Sequence, residues 1–302
     1  MNLETKFLGI SMKNPVMAAS GTFGFGLEYA DMLDLSALGA IVLKGLSSTP
    51  WQGNTGVRIA ETPSGILNSI GLENPGVAAF KKNILPKLSA YDVPLIANVV
   101  GKTAEEYGEV AEALTDCGIA ALEVNISCPN VKSGSMAFGT HPETAAEVTR
   151  IVKEHTNLPV MVKLSPNVTD IVAIAKAVEE AGADAVSLIN TLMGMAIDLK
   201  TRRPILGNMT GGLSGPCVKP VALRMVWQVA RAVKIPVCGL GGIMTGKDAT
   251  EFLIAGASVV QVGTATLASP DAILRITREL AAWGTANQIE HVSDFVGTLV
   301  TE

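Results

Sequence analysis

The chain has 302 residues, of which 48% are hydrophobic and 17% charged, so it can bury a large core and is not intrinsically disordered. Its net charge of −5, without a basic stripe, argues against a nucleic-acid partner, and no apolar run approaches the ~18 residues of a membrane span. The first residues do not build a signal peptide, and four cysteines without a CxxC spacing favour a reducing cytoplasm over a disulfide framework or a metal site.

Eight short apolar runs predict strands, and most of them are followed by a helical pattern. In chain order, the strands are centred near residues 16, 41, 97, 122, 161, 187, 238 and 260. Helices are predicted over residues 75–88, 103–117, 141–155, 169–181, 216–233, 246–255 and 270–283. Asn74-Pro75 indicates an N-cap with proline in the first turn, and Thr103-Ala-Glu-Glu106 is a capping box. Two connections, 47–76 and 191–215, are expected to be long irregular loops.

The alternation of strands and helices predicts an α/β fold with a parallel sheet. The strand runs are continuously apolar, as is typical of strands buried on both faces. Eight units in one chain favour a closed (β/α)8 TIM barrel, a single domain over residues 1–302 with long loops at the carboxyl-end face. The alternative is an open doubly wound sheet.

In such a barrel the active site lies at the carboxyl ends of the strands. The residues that follow the eight runs are polar or glycine, which favours a ligand site over a random surface, although a single lysine could simply extend to the rim. In chain order they are Ser20, Lys44, Asn98, Asn125, Lys163, Asn190, Gly241-Gly242 and Gly263-Thr264.

The glycine pairs follow strands seven and eight, where barrels commonly bind a phosphate group. Ordinary tight turns are the alternative. A phosphate there, with amides and a lysine facing the barrel mouth, suits a flavin mononucleotide (FMN), because amides match the donor and acceptor edges of a flavin or pyrimidine ring. A lysine near the ring would stabilise the negative charge of the reduced form.

The stretch Leu122-Glu-Val-Asn-Ile-Ser-Cys-Pro-Asn-Val131 ends a buried strand and places a cysteine at its carboxyl end. Pro129 cannot donate to a sheet ladder, so regular pairing is expected to end near Cys128. Cys128 is a candidate reactive group, and a small buried hydrophobe is the alternative.

Several motifs in family order resemble those of the dihydroorotate dehydrogenase family, class 1. They are Ala19-Ser-Gly21, Lys44-Gly45, Asn68-Ser-Ile-Gly-Leu72, Asn125-Ile-Ser-Cys-Pro-Asn130, Val162-Lys-Leu-Ser-Pro166, Ile189-Asn-Thr191, Gly211-Gly-Leu-Ser-Gly215 and Gly239-Leu-Gly-Gly242. The resemblance implies an FMN barrel, one FMN per chain, that oxidises dihydroorotate to orotate in pyrimidine synthesis. Cys128 would be the base that removes a proton from carbon 5 of dihydroorotate while hydride leaves carbon 6 for the flavin.

The resemblance also implies two sets of binding residues. FMN would be held by Ser20, Lys44, Gly45, Asn98, Asn125, Lys163, Ile189, Gly215, Gly241, Gly242, Gly263 and Thr264. Substrate would be held by Lys44, Asn68, Ser69, Ile70, Gly71, Leu72, Asn125, Asn190 and Thr191. No metal ligand is implied.

Within class 1, Ile189-Asn-Thr191 and Asn68-Ser-Ile-Gly-Leu-Glu-Asn-Pro-Gly76 resemble the NAD-linked kind more than the fumarate-linked kind. That kind implies a partner subunit carrying FAD and a [2Fe–2S] cluster, around a homodimer core in a heterotetramer. Three alternatives stay open: a fumarate-linked enzyme, a related FMN barrel acting on dihydropyrimidines, and a phosphate-binding barrel without redox chemistry.

Overall fold

A computed structural model describes residues 1–127 and 138–301. The strands are β1 (Thr5–Phe7), β2 (Ile10–Met12), β3 (Val16–Ala18), β4 (Ile41–Val42), β5 (Ile59–Thr62), β6 (Gly65–Asn68), β7 (Leu95–Val99), β8 (Ala121–Asn125), β9 (Val160–Lys163), β10 (Ala185–Leu188), β11 (Leu192–Met195), β12 (Ile197–Asp198), β13 (Arg203–Pro204), β14 (Thr210–Ser214), β15 (Val237–Leu240) and β16 (Val259–Val262). The α-helices are α1 (Gly76–Asn83), α2 (Leu85–Leu88), α3 (Ala104–Leu114), α4 (Pro142–His155), α5 (Ile171–Glu180), α6 (Lys219–Ala230), α7 (Gly246–Ile254), α8 (Ala265–Ala268) and α9 (Ala272–Ala286).

Eight of these strands form a closed parallel barrel in the order β3-β4-β7-β8-β9-β10-β15-β16. The last strand pairs with the first, with Val260 opposite Val16, which closes the sheet. The (β/α)8 prediction and all eight predicted strands are therefore confirmed, and the open sheet is excluded. The apolar runs are continuous because the residues of strands such as β8 and β9 are buried on both faces.

The helices follow the predicted order, with ends set by local capping. Thr103 caps α3 by accepting from the Glu106 N–H, whereas the Glu106 carboxylate accepts from Lys102 rather than from Thr103 itself. The segment predicted as one helix over 75–88 is two short helices, α1 and α2. They are separated at Ile84, and the first turn of α2 contains a proline. The segment predicted as a helix from residue 216 opens with a 3-10 turn, and α6 begins at Lys219.

An N-terminal hairpin closes the amino end of the barrel. Strands β1 and β2 pair in antiparallel fashion around Leu8-Gly9, both of which have positive φ. Phe7 and Met12 pack in one cluster with residues near the starts of the barrel strands, including Met161 and Cys238. The sequence reading missed this hairpin, because three-residue strands carry too little pattern to be seen.

The two long connections at the carboxyl-end face are not irregular, which corrects the expectation for 47–76 and 191–215. Strands from both connections form a four-stranded antiparallel sheet in the order β11-β14-β6-β5. The central pairing places Gly212 opposite Asn68, which are far apart in the chain. The pairing was invisible in the sequence because glycine-rich strands have low β-propensity and find their partners only through the fold.

Among residues 1–127 and 138–301, no helix combines the length and apolar character needed to span a membrane.

Candidate functional site

A pocket opens at the carboxyl ends of the barrel strands, beneath the four-stranded sheet. It is lined by the segments that follow β3, β4, β10, β15 and β16, by the ends of β7, β8 and β9, and by the β6 and β14 edge of the added sheet. The barrel thus brings together residues that the sequence separates by more than two hundred positions.

Most residues predicted to hold a cofactor or substrate line this pocket. They are Ser20, Lys44, Gly45, Asn68, Ile70, Gly71, Leu72, Asn98, Asn125, Lys163, Ile189, Asn190, Thr191, Gly241, Gly242, Gly263 and Thr264. Their convergence supports one composite site. Their individual roles remain predictions.

Two predicted residues, Ser69 and Gly215, do not line the pocket. Ser69 is buried and braces the loop, because its N–H donates to the Arg58 carbonyl at 2.7 Å and its hydroxyl accepts from Asn54 Nδ2 at 3.0 Å. Gly215 adjoins the pocket-lining Ser214 and has a φ of 103°. Cys128 lies outside the described residues, so its predicted role has no geometry to support or oppose it.

The end of β8 carries an amide and hydroxyl network that reaches across the pocket. The Asn125 Oδ1 accepts from the Ser127 hydroxyl at 2.8 Å, and Asn190 Nδ2 donates to the same hydroxyl. The Tyr107 hydroxyl donates to the Asn125 carbonyl at 2.8 Å, which holds the backbone at this strand end. Because the oxygen of the Asn125 amide is engaged, its N–H groups are the part available to a ligand. Asn190 in turn accepts from the Thr191 N–H at 2.9 Å.

The turns after β15 and β16 form a backbone cradle. Gly241 and Gly242 have φ values of 121° and 79°, a conformation that favours glycine. A Cβ atom on Gly242 would lie 2.8 Å from the Lys219 backbone nitrogen and 2.9 Å from the Gly215 carbonyl oxygen. Within the described part of the chain, the N–H groups of Gly242 and Gly263 donate to no other residue. Free backbone donors on two adjacent turns are suited to an anionic group such as a phosphate.

The lysine beside this cradle, Lys219, already has its charge paired with two carboxylates. Lys219 Nζ donates to Asp248 at 2.6 Å and to Glu251 at 2.8 Å. Burial works to lower the pKa of Lys219, but the hydrogen bonds to these two carboxylates outweigh it and raise that pKa. Backbone amides, not this ammonium group, are therefore the donors that the cradle presents.

Two lysines do line the pocket, Lys44 and Lys163. Lys163 is almost fully buried, and its Nζ lies 3.7 Å from Glu123 Oε2 and 3.5 Å from the Ser20 hydroxyl. At the rim, the hydrogen bond from Arg58 to Glu73 lowers the pKa of the exposed Glu73 carboxyl, with a smaller effect from Lys44. The pocket therefore combines a buried ion pair at its base with an exposed one at its mouth.

Glu123 lies beside this pocket and was not among the predicted site residues. It sits in the middle of β8, is fully buried, and accepts hydrogen bonds from Asn98, Ser187 and Gln261. The available signal was a charged residue inside an otherwise apolar strand, Ala121-Leu-Glu-Val-Asn125. A carboxylate in such a strand requires buried donors, and polar residues on neighbouring strands supply them.

The chain is similar in sequence to proteins of one known family. Residues 2–283 match the family described as dihydroorotate dehydrogenase. The chain is 60% identical over 299 residues to a protein of Citrifermentans bemidjiense named dihydroorotate dehydrogenase B (NAD(+)), catalytic subunit, covering 99% of this chain and 98% of that one. Proteins of the same name from a Geobacter species and from Geobacillus kaustophilus are 59% and 56% identical, covering 99% and 98% of this chain and 98% and 95% of theirs.

Proposed function

Because the chain belongs to the dihydroorotate dehydrogenase family, we propose that it is the catalytic subunit of an NAD-linked enzyme that oxidises dihydroorotate to orotate in pyrimidine synthesis. The observation that carries the proposal is the single pocket in which the residues expected for flavin and for substrate converge. A pocket that served only a phosphate ligand would not need the amide network beside the cradle.

The residues present fit FMN as the cofactor. The free N–H groups of the cradle suit its phosphate, and the Asn98 amide lies at the pocket wall with a buried Oδ1 that has no hydrogen-bond partner among the described residues. Lys163 adds a positive charge beside the pocket. Bound FMN would supply the two-electron acceptor for the hydride that leaves carbon 6 of dihydroorotate.

The substrate is an anion with a cyclic imide, and the pocket offers partners for both parts. Lys44 suits the carboxylate, because an ammonium group is the natural partner of an anion in a site shielded from water. The amides of Asn68, Asn125 and Asn190 suit the imide ring, since an amide both donates and accepts. The Asn68 amide is oriented by donating from Nδ2 to the Gly212 carbonyl at 3.2 Å, which ties the substrate side of the pocket to the added sheet.

Cys128 is the proposed base. It follows Ser127 by one residue, and the Ser127 hydroxyl contacts Asn125 and Asn190 at the pocket wall. A cysteine suits this task because its ordinary pKa of about 8.5 needs only a modest depression to yield a thiolate at neutral pH. The thiolate would accept the proton from carbon 5.

A second subunit is proposed to carry the electrons away. The relatives are named catalytic subunits, which implies another chain beside each of them. We infer for this protein a partner that holds FAD and a [2Fe–2S] cluster, in a heterotetramer around a catalytic homodimer. The cytoplasmic location expected from the cysteine usage stays a prediction.

The test is anaerobic reduction of the purified flavoprotein. Addition of dihydroorotate is expected to bleach the flavin absorption, and a colourless protein would contradict flavin chemistry. In a separate assay, reduction of uracil would indicate the dihydropyrimidine alternative. Assays with NAD, with and without the co-expressed partner, set against fumarate, decide the acceptor. Fumarate turnover by the catalytic chain alone would contradict the NAD-linked proposal.

A further inference from the structure

A buried cluster of polar side chains lies directly beneath the pocket, inside the barrel. Its centre is the Glu123 carboxylate, which is fully buried. Oε2 accepts from Asn98 Nδ2 at 2.6 Å, and Oε1 accepts from the Ser187 hydroxyl at 2.9 Å and from Gln261 Nε2 at 2.7 Å. Lys163 Nζ stands 3.7 Å from Oε2. Every neighbour is a donor or a cation, which is the environment of an ionised carboxylate.

Glu123 does not line the pocket, but two of its partners do. Asn98 and Lys163 both face the ligand side. Because an ionised carboxylate only accepts hydrogen bonds, it must meet the Nδ2 of Asn98, and the Oδ1 is turned away from it. That Oδ1 is buried and has no hydrogen-bond partner within the described residues, so the bond to Glu123 alone fixes the orientation of the amide.

Lys163 depends on the same carboxylate. Among residues 1–127 and 138–301, Glu123 is the only carboxylate within 4.0 Å of its Nζ. A buried ammonium group without a counter-charge tends to release its proton, because the charged form loses its hydration. The carboxylate therefore stabilises the charge that Lys163 presents at the pocket.

The other titratable groups around Lys163 do not replace Glu123. Cys238 on β15 is fully buried, and burial, reinforced by the negative charge of Glu123, raises the pKa of its thiol well above the usual range. The thiol is therefore neutral and offers no counter-charge. Lys44, which lines the same pocket, is itself a cation.

We propose that Glu123 is a positioning residue for the flavin, which keeps Lys163 charged and fixes the orientation of the Asn98 amide at the pocket wall. This inference rests on the proposed function, since it takes FMN as the ligand. Glu123 does not line the pocket and acts only through these two side chains. Its effect is on the electrostatics of the pocket, where a fixed cation stabilises the reduced flavin relative to the oxidised one.

The experiment measures how many protons accompany reduction of bound FMN. The midpoint potential is recorded by spectroelectrochemistry at a series of pH values between about 6 and 9. A buried lysine without a counter-charge can exchange its proton in this range. In Glu123→Gln the carboxylate becomes a neutral amide of nearly the same shape. Lys163 is then expected to be uncharged with oxidised FMN and to gain a proton on reduction. The variant is expected to take up about one proton more per two electrons than the wild type.

Two variants control for structural damage. Ser187→Ala removes one donor to the same carboxylate without changing its charge, and wild-type proton uptake is expected. The double variant Glu123→Gln/Gln261→Glu exchanges the two side chains, so the cluster keeps one carboxylate and one amide. It is expected to restore the number of protons that the wild type takes up. It also provides the test if the single variant does not fold.

Equal proton uptake by the wild type and Glu123→Gln would overturn the inference, as would an extra proton in a folded double variant. Failure of the proposed function has a different signature. In that case the wild-type apoprotein itself would not bind FMN in a fluorescence titration, before any variant is compared.

Discussion

Replacing Gly242 by alanine tests the backbone cradle after β15. The residue has a φ of 79°, which costs about 1–2 kcal/mol for a side chain with a Cβ. The new Cβ would also stand 2.8 Å from the Lys219 nitrogen and 2.9 Å from the Gly215 oxygen, and both are backbone atoms that cannot rotate away. Overpacking of this kind adds about 1–3 kcal/mol. The free energy of unfolding of the apoprotein should therefore fall by about 2–5 kcal/mol, lowering Tm by roughly 3–8 °C for a chain of 302 residues.

The loop can relieve these contacts only by moving, and the movement should weaken FMN binding. Each backbone N–H that no longer reaches the phosphate costs about 1.5–3 kcal/mol, or roughly 10- to 150-fold in Kd. Thermal melting of the apoprotein gives the first quantity, and quenching of FMN fluorescence on titration gives the second.

Gly263→Ala is the matched control. Gly263 lies in the other turn of the cradle, and its added Cβ would meet nothing nearer than 3.5 Å, the Ala19 Cβ. Its apoprotein should melt close to the wild type. The reasoning is refuted if the Gly242→Ala apoprotein melts within about 2 °C of the wild type, a change smaller than roughly 1 kcal/mol.

Three further predictions concern the base, an ion pair and the added sheet. Cys128→Ala should retain flavin but lose flavin reduction by dihydroorotate by several orders of magnitude in stopped-flow absorbance. Burial alone would raise the pKa of Asp248, but its hydrogen bonds, first among them that from Lys219, outweigh burial, so the pKa is lowered. The ion pair therefore stabilises the fold fully at pH values above the ordinary pKa of aspartate, and this stabilisation is lost as the pH falls through the lowered pKa. Lys219→Met should therefore cost about 1–2 kcal/mol near pH 7, and its Tm deficit should shrink below about pH 4. Gly212→Ala places a Cβ in collision with Thr191 Oγ1, so it should raise KM for dihydroorotate about tenfold or more while FMN affinity is retained.

Each of these three has a control. Cys238→Ala removes a buried thiol whose pKa is raised, and it should leave the rate of flavin reduction largely intact; a loss comparable to that of Cys128→Ala would contradict the assignment of the base. A pH-independent Tm deficit in Lys219→Met would show that packing, not charge, holds this helix end. Gly194→Ala, in the same added sheet, would place its Cβ nearest to Leu67 Cδ2, at 2.9 Å and at the end of a side chain, so an equal rise in KM there would argue against Thr191 as a substrate residue.

The barrel and most of the site could be read from the sequence for a simple physical reason. A strand buried on both faces must be apolar throughout, and it must change to polar residues where it reaches the ligand. Runs such as Leu95–Val99 and Val160–Lys163 show both features, and the structure buries all of their residues. Since parallel strands of one barrel end at the same face, the polar residues after them had to meet there.

The added sheet and the N-terminal hairpin could not be read in this way. Strands β6 and β14 contain glycine and are only partly buried, so neither carries a pattern of its own. Their pairing depends on the barrel, which brings the connections after β4 and β10 side by side. The expectation of irregular loops failed because it was based on local composition alone.

The sequence by itself determined the eight-unit barrel, the polar strand ends and the glycine turns, because each follows from local patterns of burial and turn chemistry. Only the tertiary structure decided which side chains share a hydrogen bond. Glu123 looked like a misplaced charge in an apolar strand, and closure of the barrel brings Asn98, Ser187 and Gln261 to it from strands β7, β10 and β16. A buried carboxylate is tolerated only where donors converge on it, and that convergence is a property of the closed sheet rather than of any one segment.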